Sequence, residues 1–182
     1  MSKTGRIEVV CGPMFSGKSE ELLRRLKRAK IAKKKYQLFK PSVDNRYSDT
    51  EVVSHSGDRL ECQVLQNAFQ ISDFLEDDVE IVAFDEAQFF DTTLVTTAIS
   101  LADMGKRVII AGLDMDSRGT PFGPMPHLLA VSEEVLKLTA VCEVCGEPAT
   151  HTYRITEEDK EQVLVGAGDH YQARCRDHWS AR

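Results

Sequence analysis

No stretch of the 182 residues approaches the ~20 consecutive apolar side chains that carry a helix across a bilayer, so no membrane partner is expected. The first residues, Met1 to Arg6, contain no apolar core of the kind an export signal needs, and the expected location is the cytoplasm. Positive charge is not in excess: 23 Lys and Arg face 29 Asp and Glu, a net charge of -6, which argues against a chain whose main task is to grip nucleic acid. Cysteines number five, an odd count that suits a disulfide framework poorly and metal ligation better. Internal repeats and low-complexity segments are absent, and the length is too short for two full domains but enough for one α/β core with a small appendage.

The chain does contain Gly12-Pro13-Met14-Phe15-Ser16-Gly17-Lys18-Ser19, placed between an apolar strand-like run (Arg6 to Cys11) and a helical pattern from Ser19 to about Lys35. The spacing is that of a phosphate-binding loop, G-x-x-x-x-G-K-[ST]. Its glycines let backbone N–H groups curl round phosphates, aided by the positive end of the following helix. Lys18 is then expected to reach the β- and γ-phosphates, and the Ser19 hydroxyl to ligate Mg²⁺. On the helix, Leu22, Leu23, Leu26 and Ala29 form a candidate buried stripe, and the basic run Arg24, Arg25, Lys27, Arg28, Lys30, Lys33, Lys34 and Lys35 reads as a solvated face.

Further strands are expected near Gln37 to Lys40, Cys62 to Leu65, Val79 to Phe84, Val108 to Ala111 and Val135 to Val141, the last as a core strand. Helices are expected over Ala68 to Leu75, Thr92 to Met104 with Gly105 as its cap, and Leu128 to Val131. Alternation of this kind predicts right-handed crossovers and a parallel sheet. Ser42 to Arg59 reads as a polar loop, and Gly112 to Pro126 as a mobile loop over the site or an ordered connection.

Asp85-Glu86 closes the Val79 to Phe84 run, where a parallel strand presents its carboxyl end to a site. Asp85 has the placement of the aspartate that holds Mg²⁺ beside a phosphate loop, and Glu86 that of a general base. Near the C-terminus, Cys142-x-x-Cys145 and Cys175-x-x-His178 supply four soft and imidazole ligands for a closed, structural Zn²⁺ site, with His151 as a weaker competitor. The metal would tie off a long loop containing Thr152-Tyr153-Arg154 and Leu164-Val165-Gly166, either a cover over a small planar ligand or a rigid knob. Cys11 and Cys62 read as small buried or surface residues, and His55, His127 and His170 as surface or loop positions.

Together with Asp85-Glu86-Ala87-Gln88-Phe89-Phe90, Gly112-Leu113-Asp114, Pro121-Phe122-Gly123 and Lys137 to Cys142, these motifs closely resemble the type II, cytosolic-type thymidine kinases along nearly the whole chain. The resemblance implies a P-loop, RecA-like parallel sheet flanked by helices over 1–141, and a small zinc-binding lobe carrying a lasso loop over 142–182. It implies phosphoryl transfer from Mg-ATP to the 5′-hydroxyl of thymidine, with Glu86 as base. ATP and its phosphates would be handled by residues 12–19 together with Arg46, Asp85, Glu86 and Gln88. Thymidine would be lined by Met14, Phe89, Leu113, Thr152 and Tyr171, and covered by the segment from Arg154 to Gly166, including Leu164 and Val165. A homotetramer and inhibition by the end product thymidine triphosphate are further implications; that no nucleic-acid or membrane partner is expected follows from charge and hydropathy. One position departs from the family: Ser117 stands where an aromatic is expected, with Met115 or Phe122 as candidates to compensate.

Two other functional classes compete. In a P-loop ATPase module acting on nucleic acid, Glu86 would activate water and the basic run would grip phosphate backbone. A regulatory nucleotide-binding protein without catalysis is disfavoured by the intact Lys18, Asp85 and Glu86.

Overall fold

The computed structural model describes residues 5–42, 51–53, 59–155 and 170–180. Six parallel strands form the main sheet: β1 (Arg6–Cys11), β2 (Tyr36–Pro41), β5 (Gln63–Leu65), β6 (Ile81–Phe84), β7 (Arg107–Gly112) and β8 (Glu134–Lys137). Their order across the sheet is β5-β2-β6-β7-β1-β8, so β7 separates the strand that enters the phosphate loop from the strand that ends in the acidic pair. This is the α/β architecture expected from the alternation of strands and helices.

Period-two alternation assigns the faces. Ile7, Val9 and Cys11 of β1 join Val82 and Phe84 of β6 beneath α3 (Thr93–Asp103) and α4 (Met125–Val131). Val10, Leu38, Ile81, Ala83, Ile109 and Ala111 turn the other way, against Leu22, Leu23, Leu26 and Ala29 of α1 (Lys18–Ile31). The predicted apolar stripe of α1 is therefore its buried face. Phe84 is fully buried between Phe39 and Phe90, with ring centroids 5.8 Å away in each case, and truncating such a ring to Ala costs about 3–5 kcal/mol. Among the described residues, no helix is long and apolar enough to cross a membrane.

Several expectations need correction. The first helix stops at Ile31 rather than Lys35, because Lys33 takes a left-handed φ of 57° that turns the chain into β2. Arg25, read as part of a solvated face, is buried: its guanidinium donates to Glu8 and Glu21 and pairs with Glu134. The expected loop from Ser42 to Arg59 contains β3 (Glu51–Val53), which pairs antiparallel with β4 (Arg59–Glu61) at its end. The helix expected over Ala68 to Leu75 is a 3₁₀ turn (Ala68–Gln70) continued by α2 (Ile71–Phe74). The stretch from Val135 to Val141 is not one core strand. Its first half is β8, a largely exposed sheet edge, and its second is β9 (Ala140–Val141), which pairs with β10 (Pro148–Ala149) in the small lobe.

That lobe is completed by the antiparallel pair β11 (His151–Arg154) and β12 (Tyr171–Arg174). The buried apolar cluster at its centre contains Ala140, Cys142, Ala149 and Ala173, with Cys175 packed against it. Among the described residues this core is small and gives little hydrophobic stabilisation, and folds of such size normally need a staple.

Candidate active site and metal centre

The phosphate loop leaves β1 at Cys11 and enters α1 at Lys18. Gly12 has φ 145°, and a Cβ there would lie 2.5 Å from the Leu138 carbonyl oxygen, so both conformation and space require glycine. The Ser16 hydroxyl donates to the Pro13 carbonyl at 2.8 Å, and the Lys18 ammonium donates to the same oxygen at 2.7 Å. Burial pulls the Lys18 pKa below its ordinary value, while the Glu86, Asp85 and Asp114 carboxylates oppose the shift. Lys18 is thus a partly buried cation held by its own loop within the field of three acids.

Asp85 follows β6 and is buried, whereas the adjacent Glu86 is exposed. The Ser19 hydroxyl donates to Asp85 Oδ2 at 3.3 Å, bringing together the two residues assigned to Mg²⁺. Burial, reinforced by the Glu86 charge, raises the Asp85 pKa to about 7 against the pull of Lys18 and Ser19. A carboxylate in that condition fits a bound cation, which would restore the favourable field that burial removes. Glu86 itself has φ 51°, a left-handed backbone that costs a non-glycine residue on the order of 1 kcal/mol or more.

Gln88, buried two residues on, ties this pair to the next strand. Its Nε2 donates to Glu86 Oε2, and its Oε1 accepts from the Leu113 N–H at 2.9 Å. Phe89 meets Phe122 edge to face, with centroids 5.6 Å apart, so of the two residues considered for the aromatic missing at Ser117, Phe122 is the one in a ring pair of the site. Sequence reasoning missed the bridging geometry of Gln88, because a buried amide has no sequence signature. It also gave no role to Asp114, which pairs with Lys137 at 2.6 Å; the signal available was its place just past the carboxyl end of β7.

The loop from Gly112 to Pro126 is anchored. Asp116 Oδ1 accepts from the Arg118 and Thr120 N–H groups, each at 2.9 Å, and Met115 bridges to Pro121. From the small lobe, the Thr152 hydroxyl accepts the Met14 N–H at 3.1 Å, so the lobe touches the phosphate loop directly. Tyr171 is buried opposite Arg154 in the β11–β12 pair. Arg46, Leu164, Val165, Gly166 and His55 lie outside the described residues.

Cys142, Cys145, Cys175 and His178 converge as predicted, with ligand atoms all within 4.8 Å of one another. Zinc–sulfur bonds of about 2.3 Å in a tetrahedron set sulfur–sulfur separations of about 3.8 Å. The Cys145 and Cys175 sulfurs are 3.7 Å apart, and His178 Nδ1 lies 3.9 Å from the Cys142 sulfur and 3.2 Å from that of Cys175. Burial disfavours the Cys142 thiolate, yet backbone N–H groups of Cys175, Val144 and Cys145 bring its pKa down to about 6. The donor set, its spacing and the thin core around it fit a structural Zn²⁺. His151 is not part of the group: its ring stacks on Trp179 at 4.4 Å.

Among solved structures, domain III of the Thermotoga maritima replication initiation protein DnaA is similar at 14% identity, covering 74% of this chain and 55% of that one, with a TM-score of 0.43. This chain thus spans about half the length of that structure, and a likeness so distant carries no argument. A family model described as thymidine kinase matches residues 5–179, which takes in the phosphate loop, the acidic pair and the four metal-ligand candidates in a single span. With nearly its whole length so matched, the chain belongs to the thymidine kinase family.

Proposed function

We propose that the enzyme transfers the γ-phosphoryl group of ATP to the 5′-hydroxyl of thymidine, in a Mg²⁺-dependent reaction serving nucleotide salvage. The observation that carries this reading is the division of labour at the end of β6. Asp85 is buried against the Ser19 hydroxyl, and the adjacent Glu86 is exposed and oriented by Gln88. One carboxylate can serve a cation while its neighbour meets a hydroxyl.

In this mechanism the backbone N–H groups of residues 12–19 cradle the phosphates of ATP. Lys18 exchanges the Pro13 carbonyl for phosphate oxygens, the better partner for a partly buried ammonium. Ser19 and Asp85 would hold Mg²⁺, which supplies charge neutralisation on the phosphates. Arg46 and Gln88 complete the donor side as the family resemblance assigns it. Glu86 takes the proton of the 5′-hydroxyl as that oxygen approaches phosphorus in line. Met14, Phe89, Leu113, Thr152, Arg154 and Tyr171, with Leu164, Val165 and Gly166, would hold the nucleoside. Cys142, Cys145, Cys175 and His178 would hold Zn²⁺ as a staple for the lobe 142–182 beside the core 1–141. A cytoplasmic homotetramer inhibited by thymidine triphosphate completes the proposal, on the strength of the family alone.

The testing experiment incubates the protein with Mg-ATP and each of the four deoxynucleosides, with single-stranded DNA as a control. Formation of thymidine monophosphate is expected. ATP hydrolysis that only DNA stimulates would replace this reading with the ATPase alternative.

A further inference from the structure

We propose that Trp179 is a positioning residue that joins the Cys₃His lobe to the loop carrying the nucleoside side of the cleft; its catalytic consequence rests on the proposed function. The side chain is the only indole in the chain. It follows His178 directly, at the end of the 3₁₀ turn Arg176–His178, so the atom that would ligate the metal also fixes where the indole starts.

Three contacts then define the ring. One face stacks on His151 of β11, with centroids 4.4 Å apart and planes inclined by 25°. The indole N–H donates to the Ser117 carbonyl oxygen at 3.3 Å. The six-membered ring lies over Gly119, where a Cβ would come within 2.6 Å of Cη2, and Gly119 also has φ 75°; a glycine is needed for the ring to lie there. Ser117 and Gly119 sit in the middle of the loop that leaves β7 at Gly112 and enters α4 at Met125.

This placement is not explained as core packing. Trp179 is half-buried and belongs to none of the apolar clusters found among the described residues. What it touches is one strand of the small lobe, β11, and the loop between β7 and α4. On the lobe side, the residue after His151 is Thr152, whose hydroxyl accepts the Met14 N–H of the phosphate loop. On the loop side, the segment it pins begins beside Leu113, held by Gln88, and ends beside Phe122, packed on Phe89. The Asp116 carboxylate ties the turn from within, accepting from the Arg118 and Thr120 N–H groups. Trp179 therefore sets where that loop stands relative to β11.

Stacking and one hydrogen bond to a neutral carbonyl together correspond to a change of about fivefold to tenfold in an equilibrium that depends on them. The test compares wild type, Trp179→Ala and Trp179→Phe in the full chain, with zinc content measured for each. In the Ala variant, with zinc retained, amide hydrogen exchange at Ser117 to Phe122 should accelerate. Its Michaelis constant for thymidine should rise about fivefold to tenfold while kcat and the constant for ATP change less than twofold. Trp179→Phe, which keeps a ring over His151 but no N–H, should fall between the two. In wild type, chelation of the metal should shift indole emission to longer wavelength and speed exchange in the same segment. Unchanged exchange and an unchanged thymidine constant in Trp179→Ala would overturn the proposal. So would loss of zinc or an equal rise in both Michaelis constants, either of which would make the residue a support of the lobe alone. If the wild-type protein phosphorylates no thymidine, the functional reading fails, whereas emission and exchange still decide whether the indole joins the two elements.

Discussion

The Gln88 amide donates to the Glu86 carboxylate at 2.5 Å. Its other end accepts the Leu113 N–H, so the candidate base is oriented from the strand beside it and not from the phosphate loop. Glu86→Gln keeps shape and hydrogen bonding but cannot take a proton; kcat should fall by about 10² or more with ATP binding retained. Gln88→Met removes both hydrogen bonds at similar volume, and a smaller loss of kcat, about tenfold, is expected. Steady-state kinetics check both, and a near-normal rate in Glu86→Gln would remove it as the base.

How much of this was legible in the sequence depended on how local the determinant is. Gly12 to Ser19, Asp85-Glu86 and the four metal ligands are fixed by spacings of a few residues, and all stand where expected. Arg25 was misread because its partner Glu8 is 17 positions away and its neighbours in the basic run are solvent-facing. The run from Val135 to Val141 hid a change of partner: Leu138 donates to Cys11 at the end of the sheet, after which the chain crosses to pair with Pro148–Ala149. The β3–β4 pair consists of three-residue strands, too short to show a period. Gln88, Thr152 and Trp179 act through contacts with residues distant in sequence, whose geometry no pattern in one sequence records.

At Ser117, Trp179 bonds to the backbone carbonyl and not to the side chain. Ser117→Phe should therefore restore a ring to the loop and lower the Michaelis constant for thymidine by a few-fold, an aromatic contact being worth on the order of 1 kcal/mol. Kinetics at saturating ATP measure it. An unchanged or higher constant would show that the Phe122–Phe89 pair already fills that role.

Metal removal should act unequally on the two substrates. Among the described residues the lobe has a small apolar core and would owe its folding to the metal, whereas the sheet and phosphate loop stand on two large clusters. The purified protein is expected to carry about one zinc per chain. Chelation should weaken thymidine binding by tenfold or more and ATP binding much less, as read by calorimetry on the chelated protein. Equal losses would mean that the Met14–Thr152 contact makes the lobe a support of the phosphate loop as well.

Glu8 predicts the acid behaviour of the whole domain. Burial alone would raise its pKa, but hydrogen bonds from Arg107, Arg6 and Arg25 outweigh that and hold it at about 2, against an ordinary 4.5. Because the folded value lies below the unfolded one, the stabilisation is fully present above pH 4.5 and is lost as pH falls toward 2. A depression of that size corresponds to about 3 kcal/mol. Glu21, held at about 2 chiefly by its hydrogen bond from Arg24 against burial, adds a smaller contribution of the same sign at a more exposed site. Glu8→Gln leaves Arg25 buried without its carboxylate partner in β1, and should destabilise the fold at pH 7 by about 3 kcal/mol. It should also flatten, without abolishing, the decline in stability between pH 4.5 and 2. Urea unfolding across that range measures both, and an unaltered pH slope in the variant would show that the acid sensitivity arises elsewhere than at the junction of β1, α1 and β7.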